Sequence, residues 1–113
     1  MEHVIDATNQ RLGRLATKVA LILQGKLRPD YHPRLPGNDR VIVKNASKIT
    51  VSGRKFSQKI YYRHTGYMGH LRERTYREFF EKSPSEVLRH AVARMLPKNK
   101  LQQKRLNRLI IER

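Results

Sequence analysis

The first 25 residues constrain the fold more than any other stretch, because a short apolar segment leads directly into an amphipathic one. Residues 3–7 are predicted to form a buried strand, and Thr8 or Asn9 is a good N-cap for a helix that follows. Apolar residues then recur at helical spacing for three turns, at Leu12, Leu15, Ala16, Val19, Ile22 and Leu23. Gly25 stands where a C′ glycine ends a helix. A strand followed directly by a helix is typical of a parallel β/α layout.

The turn between this strand and this helix does not carry a nucleotide-phosphate motif. It holds Gly13 alone, without the G-x-G-x-x-G spacing or the G-K-[ST] ending that places backbone N–H groups on phosphate. We therefore interpret Gly13 as a position where the helix packs closely on the sheet, and we reject a mononucleotide site there.

Three further strands are predicted downstream. Residues 40–45 contain three consecutive apolar β-formers, which is typical of a strand buried on both faces. Residues 49–51 and residues 60–63 are shorter runs of the same kind.

The second half of the chain is predicted to be mainly helical. Two capping boxes, Thr75 with Glu78 and Ser83 with Glu86, each start a helix, and Pro97 ends the second one. Aromatic residues of the first helix are expected to pack inward. A weaker apolar pattern over residues 101–110 predicts one more helix.

Charge is the most informative part of the composition. The chain has 25 Lys and Arg against nine Asp and Glu, which gives a net charge of +16. Like charge at this density destabilises a compact state unless a polyanion neutralises it. An anionic membrane is the rival partner, but no apolar run approaches the roughly 18 residues of a spanning helix. Nucleic acid is therefore the expected partner.

Several kinds of chemistry are excluded or unsupported. The chain has no cysteine, which excludes disulfides, thiolate catalysis and Cys-ligated zinc and fits a reducing compartment. None of the five histidines lies in an H-E-x-x-H motif, and no spacing selects a catalytic triad. The N-terminus lacks the charged and apolar regions of a signal peptide. We expect neither an enzyme nor a metal site.

Residues 61–74 combine features that suit RNA. Gly66 and Gly69 allow positive φ angles, and tyrosines, histidines and arginines surround them. Planar rings and guanidinium groups on such a loop are suited to stacking on bases and binding phosphate. An ordinary solvated loop after a strand is the alternative.

The loop over residues 26–39 is also basic. Its three prolines exclude regular structure, and Lys26, Arg28 and Arg34 make it cationic. A proline-stiffened loop loses less entropy when it is ordered against RNA. A merely solvated connection explains the loop equally well.

Four separated blocks of the sequence carry a family resemblance. They read Ile5-Asp6-Ala7 with Leu12-Gly13-Arg14-Leu15-Ala16-Thr17, Val41-Ile42-Val43 with Asn45-Ala46, His64-Thr65-Gly66-Tyr67, and Met95-Leu96-Pro97-Lys98-Asn99. In this order and spacing the chain resembles the universal large-subunit ribosomal protein L-thirteen family in its bacterial form, shortened at both ends.

The resemblance implies a fold and a function. The implied fold is α/β, a three-layer α/β/α arrangement with a four-stranded parallel sheet, in one rRNA-binding domain over residues 1–113 with basic loops and a basic C-terminal segment. The implied function is that of a structural constituent of the large ribosomal subunit, in the cytoplasm, which binds and stabilises folded large-subunit rRNA early in assembly. Its expected partners are this rRNA and neighbouring large-subunit ribosomal proteins, with no membrane, cofactor or small-molecule substrate. The alternative is a general basic nucleic-acid-binding or RNA-chaperone module outside the ribosome.

We expect cations from residues 26–34, 54–74 and 89–108 to contact mainly phosphate and 2′-OH groups. Candidates for stacking on unpaired bases are Tyr61, His64, Tyr67 and His70. The predicted RNA-binding residues are Lys26, Arg28, Arg34, Arg54, Lys55, Lys59, Tyr61, Arg63, His64, Gly66, Tyr67, Gly69, His70, Arg72, Arg74, Arg94, Lys98, Lys100, Lys104 and Arg105.

Overall fold

The structure is a computed structural model that describes residues 2–35, 37, 39–51, 53–64, 66, 68–69 and 71–113, with His64 described by its backbone alone. The strands are β1 (Glu2–Asp6), β2 (Arg40–Lys44), β3 (Ile60–His64), β4 (Leu71–Thr75) and β5 (Leu109–Ile111). The helices are α1 (Leu12–Gln24), α2 (Lys55–Gln58), α3 (Tyr76–Lys82), α4 (Pro84–Met95) and α5 (Leu101–Leu106), with a short 3₁₀ turn at Ala46–Lys48.

The predicted strand and helix at the start of the chain are confirmed as β1 and α1. The buried face of α1 includes Leu15, Val19 and Leu23, and the helix ends at Gly25, whose φ is 78° and whose N–H donates to the Ile22 carbonyl at 3.1 Å. The predicted N-cap is wrong, because the helix begins after Arg11, which makes no side-chain cap hydrogen bond.

The α/β class is confirmed, but the predicted four-stranded parallel sheet is wrong. Strands β1, β2 and β5 form a three-stranded parallel sheet with β2 in the centre, whereas β3 and β4 form a separate antiparallel pair. A short connection can join antiparallel strands, but parallel strands need a long crossover. The connection from β3 to β4 is short and contains Gly66 and Gly69 at φ 90° and 77°. Residues 49–51 contribute one bridge, between Thr50 and Arg11.

The C-terminus departs from the predicted helix. Helix α5 ends at Leu106, and β5 then pairs with β2 through Val41–Leu109 and Val43–Ile111. The open edge of β2 offers backbone partners to these apolar residues, and a tertiary partner of this kind overrides a weak local periodicity.

The two faces of the parallel sheet differ in burial. Ile5, Val41, Val43 and Leu109 point to one face and belong to the same buried core cluster as α1 and α4. On the other face, Val4 and Ile110 are 62% and 40% exposed. Within the described residues, helices therefore cover one face, in contrast to the predicted three-layer arrangement.

The starts of α3 and α4 differ in their caps, and α3 carries a buried aromatic pair. Thr75 Oγ1 accepts from the Glu78 N–H at 3.3 Å, which confirms the predicted cap of α3. Tyr76 is 1% exposed and stacks on Phe80 at 5.5 Å between ring centroids. The cap predicted at the start of α4 is absent, since Ser83 makes no side-chain cap hydrogen bond.

Candidate nucleic-acid interface

A groove of about 890 Å³ lies where the first turn of α1, the α2 segment, β3 and the end of α4 meet. We call it the cationic groove. The cations that line it are Arg11, Arg14, Lys55, Lys59 and Arg94, and its floor includes Tyr61 and His90. No Asp or Glu is among the described residues that line it. All five cations are exposed, and none forms a salt bridge in the described part of the chain.

One backbone contact and one side-chain contact fix the position of α1 at the edge of the cationic groove. The Leu12 N–H donates to the Thr50 carbonyl at 2.9 Å, which holds the start of α1 beside residues 49–51. The Thr17 hydroxyl donates to Met95 Sδ at 3.4 Å, where α1 packs along α4. The groove is therefore built on two long helices, which position side chains more firmly than a loop would.

The floor of the groove is aromatic. The Tyr61 ring makes edge contacts with Phe79 at 5.2 Å and with His90 at 5.4 Å between centroids. The Lys59 ammonium lies over the same ring at 5.2 Å, a cation–π geometry. A base that stacks on Tyr61 would have to share that ring with Lys59 or displace it.

The ionisation of His90 reports the electrostatic potential of the groove. Burial lowers the pKa of this imidazole, and the nearby charges of Arg94 and Lys59 lower it further. The imidazole is therefore neutral at pH 7. Burial disfavours a charge of either sign, but the charges of Arg94 and Lys59, which disfavour the added proton, favour an added anion.

Sequence reasoning placed Lys55, Lys59, Tyr61 and Arg94 among the RNA-binding residues, and the structure brings these four together. It missed Arg11 and Arg14. A signal was present, because the first turn of α1 holds no acid and instead carries cations that oppose the helix dipole. A residue type that is unfavourable for the local structure often marks a functional position.

The β3–β4 hairpin extends the cationic surface. Tyr61 pairs with Arg74, and Arg63 lies directly opposite Arg72, so all four side chains lie on one face. Like charges directly opposite each other destabilise a strand pair. The Arg74 guanidinium lies 5.3 Å from the Phe79 ring centroid. We call Arg63, Arg72 and Arg74 the hairpin arginines.

One predicted RNA-binding residue is not at the surface. Arg105 is 1% exposed, and its Nη2 donates to the carbonyls of Leu35 and Pro33 at 3.2 and 3.4 Å. In this fold the Arg105 guanidinium is thus engaged by backbone carbonyls and is not presented to a surface. The helical pattern of α5 turns this side chain inward, where it fastens the basic loop to the body of the protein.

Two other arginines of the third predicted region also point inward. Arg108 donates to the carbonyls of Asp39 and Leu23 at 2.6 and 2.8 Å, and burial followed by the charge of Arg105 lowers its pKa. Arg89 donates to the carbonyls of Leu106 and Leu109, both at 3.3 Å. We call Arg89, Arg105 and Arg108 the interior arginines.

In the basic loop, Arg28 has acidic partners. Its Nη1 donates to Asp39 Oδ1 at 2.8 Å, and its Nε lies 3.5 Å from Asp30. Burial raises the pKa of Asp39, but the contacts with His3 and Arg28 outweigh it and hold the pKa below its ordinary value. Arg28 therefore contributes less free charge than the sequence suggests.

Gly66 and Gly69 lie exposed in the connection from β3 to β4, and the other remaining predicted residues fall into two groups. Those exposed away from the groove are Lys26, Arg34, Arg54, Lys98, Lys100 and Lys104. Tyr67, His70 and the side chain of His64 lie outside the described residues.

The described ranges contain neither a metal-binding cluster nor a membrane-spanning helix. No group of three or more His, Asp or Glu residues there could hold a metal ion. No helix in those ranges has the length and apolar character needed to cross a membrane.

Comparison with known proteins gives a consistent result. The model of the family described as Ribosomal protein L13 matches residues 1–111. The large ribosomal subunit protein uL13 of Clostridioides difficile (strain 630) is 50% identical over 107 residues, which is 95% of this chain and 75% of that protein. Those of Chloroflexus aggregans and Thermotoga petrophila are 50% and 49% identical over 96% and 95% of this chain, and the match covers 76% and 72% of their own lengths. This chain belongs to the ribosomal protein L13 family.

Proposed function

We propose that this protein is a structural constituent of the large ribosomal subunit in the cytoplasm and that it binds and stabilises folded large-subunit rRNA. Its relatives carry the name of a large-subunit protein, and the family is one of structural proteins, not enzymes. The observation that supports the RNA-binding part is the cationic groove, where five exposed cations, and no Asp or Glu, are found among the described lining residues.

The groove suits a folded RNA backbone better than a single small anion. Arg11 and Arg14 approach from one helix and Arg94 from another, so phosphates on two sides of a bend could be contacted together. Arginine forks bind phosphate oxygens in pairs, while Lys55 and Lys59 act as point charges. Recognition of this kind depends on shape and phosphate spacing more than on base sequence.

The hairpin arginines continue the same surface. The unfavourable Arg63–Arg72 pairing is relieved when a phosphate lies between the two side chains. The exposed lysines around α5 would add contacts at longer range. As the resemblance to its family implies, we expect the protein to join the rRNA early in subunit assembly.

The test compares two triple variants with the same change in net charge. The groove variant is Arg11→Gln, Arg14→Gln and Arg94→Gln, and the control variant is Lys44→Gln, Arg77→Gln and Lys82→Gln, all exposed residues outside the groove. Affinity for deproteinised large-subunit rRNA is measured against salt, with duplex DNA as competitor. In a plot of log affinity against log salt concentration, the slope for the groove variant should be shallower than that of the parent by about 2–3, because each lost phosphate contact removes roughly 0.7–0.9.

Equal loss in the two triple variants would overturn the assignment of the groove. Equal competition by duplex DNA would favour an unselective basic module over a ribosomal component. Sedimentation of the tagged protein with large subunits in high salt tests the assembly itself.

A further inference from the structure

The open face of the parallel sheet carries a row of apolar side chains. The strand register places Val4, Ile42 and Ile110 side by side across β1, β2 and β5. Val4 is 62% exposed, Ile110 is 40% exposed, and Ile42 is only partly buried. Single exposed apolar residues are ordinary, but a contiguous row on one face marks an interaction surface.

A parallel sheet is rarely left open in this way. Parallel strands occur almost only where both faces are covered, usually by helices. Strands lie about 4.8 Å apart, so the row is roughly 10 Å long, which is about the diameter of one helix. The missing cover therefore has the size of a single helix lying on the sheet.

Charged residues border this row on both sides. Arg40 lies 3.3 Å from Glu2 at one end, and Asp6 and Lys44 lie beside each other at the other end. Glu112 continues the alternation of β5 on the same face, and its N–H donates to the Val43 carbonyl at 2.7 Å. Among the described residues, the strand alternation thus places three acids and two bases on the outer face, with Lys48 close to Asp6, in a chain with 25 bases and nine acids.

Hydrogen bonds hold the Asp6 carboxylate in its charged form. The side chain of Asn45 donates to Asp6 at 3.0 Å, and the Thr8 hydroxyl and N–H donate to the same carboxylate at 2.7 and 3.0 Å. These hydrogen bonds lower the pKa of Asp6 to about 2. The charged Asp6 carboxylate therefore disfavours a phosphate placed directly beside it and favours a cation.

We propose that the outer face of the parallel sheet is the docking surface for a basic amphipathic helix of a second RNA-bound protein. The inference rests on the proposed function for the particle in which the two proteins meet, but it uses a surface separate from the cationic groove. The apolar stripe of the partner helix covers Val4, Ile42 and Ile110, and its Lys or Arg flanks face Glu2, Asp6 and Glu112. Any protein bound to the same RNA would carry such cations for the electrostatic reason that applies to this chain.

Two other occupants fit less well. RNA would place phosphates against the carboxylates of Glu2, Asp6 and Glu112. A second copy would bring two chains of charge +16 together, and their mutual repulsion opposes a dimer.

The experiment uses photo-crosslinking within purified, salt-washed large subunits. One variant carries p-benzoylphenylalanine in place of Ile110 on the outer face, and a second carries it in place of Met95, which lines the cationic groove. The probe at position 95 should crosslink to rRNA. The probe at position 110 should crosslink to a protein, and mass spectrometry should place the link in a basic amphipathic segment.

A matched substitution tests whether the row itself makes the contact. Val4→Lys places a cation in the row and should lower the protein crosslink at position 110 by about tenfold, the effect of losing one buried aliphatic contact. Val4→Ile should leave it unchanged. Val4 is exposed, so neither change should disturb folding, which circular dichroism would check.

The outcomes separate the two proposals. A crosslink from position 110 to rRNA, to a second copy or to another part of the same chain, or no crosslink at all, would overturn the docking surface. If the probe at position 95 fails to reach rRNA while the one at position 110 reaches a basic helix, the groove assignment falls and the docking surface stands.

Discussion

Arg94 and Arg105 belong to consecutive helices, yet their guanidinium groups have opposite environments. Arg105 is 1% exposed and donates to two backbone carbonyls, whereas Arg94 is exposed at the rim of the cationic groove. The other members of each group follow the same division. Arg89 and Arg108 also donate to carbonyls, while Arg11 and Arg14 have no acidic partner among the described residues.

The difference shows that arginines have two roles in this protein, one in holding the fold together and one in supplying positive charge at the surface. A guanidinium that is buried, as in Arg105, or partly buried, as in Arg89 and Arg108, needs hydrogen bonds to replace its water, so the interior arginines stabilise particular chain crossings. An exposed cation without a partner adds self-repulsion and becomes favourable when a polyanion binds. The net charge of +16 therefore overstates the charge available to RNA.

The largest expected effect comes from removing an interior arginine. Arg105→Ala leaves a cavity and the carbonyls of Pro33 and Leu35 without their donor. The free energy of unfolding should fall by about 3–5 kcal/mol, as for other large-to-small changes that orphan buried polar groups. Urea unfolding followed by circular dichroism measures it. A stable Arg105→Ala protein with weakened RNA affinity would contradict this expectation and indicate that Arg105 binds RNA.

Replacing Arg94 at the cationic groove should lower rRNA affinity and leave stability nearly unchanged, the opposite of what is expected for Arg105. Arg94→Gln should alter the free energy of unfolding by less than about 0.5 kcal/mol, as is usual for an exposed side chain. Its rRNA affinity should fall by about tenfold to a hundredfold, the loss of one charge-assisted contact of about 1.5–3 kcal/mol. Filter binding at fixed salt measures this. Unfolding of Arg94→Gln, with normal affinity in the folded fraction, would contradict the groove assignment.

Replacing a hairpin arginine should change stability in the opposite direction from replacing an interior arginine. Arg63→Ala or Arg72→Ala removes the like-charge pair across β3 and β4, so stability should rise by about 0.2–1 kcal/mol. Affinity for rRNA should fall in both variants. Thermal unfolding and filter binding on the same samples would show this. If both variants are less stable than the parent, the two arginines help to hold the hairpin and resemble the interior group.

The smallest effect is a shift in the titration of His90. The free protein should show a pKa below the ordinary histidine value, because burial, Arg94 and Lys59 all disfavour the added proton. Bound rRNA should raise this pKa by supplying negative charge, and Arg94→Gln should raise it in the free protein. NMR titration of the imidazole resonances measures both. A pKa that does not change when RNA binds would place the RNA away from the groove.

The same shift predicts a pH dependence of stability. The folded protein binds the His90 proton less readily than the unfolded chain, whose pKa is near 6.5. Stability is therefore fully present above that value and decreases as the pH falls through it towards the lowered folded value. Arg94→Gln should reduce this decrease, and urea unfolding at several pH values would detect the change.

Local signals in the sequence were sufficient for part of the structure. The apolar spacing from Leu12 to Leu23 and the glycine at position 25 predicted α1, and Thr75 with Glu78 predicted the start of α3. These features depend on residues within a few positions of each other. Four groove residues were also recognised by type, because unpaired cations near aromatic rings are informative without a structure.

Other predictions depended on distant partners and were wrong. Residues 109–111 form a strand only because β2 has an open edge, and residues 60–63 pair with β4, not with the parallel sheet. The inward turn of Arg105 depends on two carbonyls about 70 positions earlier in the chain. Arg11 and Arg14 become groove residues only where α4 and α2 pack beside α1.

By itself, the sequence determined the short-range and summed properties of this protein: the end of α1, the bounds of α3 and α4, the excess of positive charge and the family. These follow from local hydrogen bonding, periodicity and composition, which the order of residues specifies directly. Tertiary structure alone decided which strands pair, which arginines are buried and which face of the sheet stays open. Those outcomes depend on contacts between residues far apart in the chain, whose energies are set only once the whole fold has brought them together.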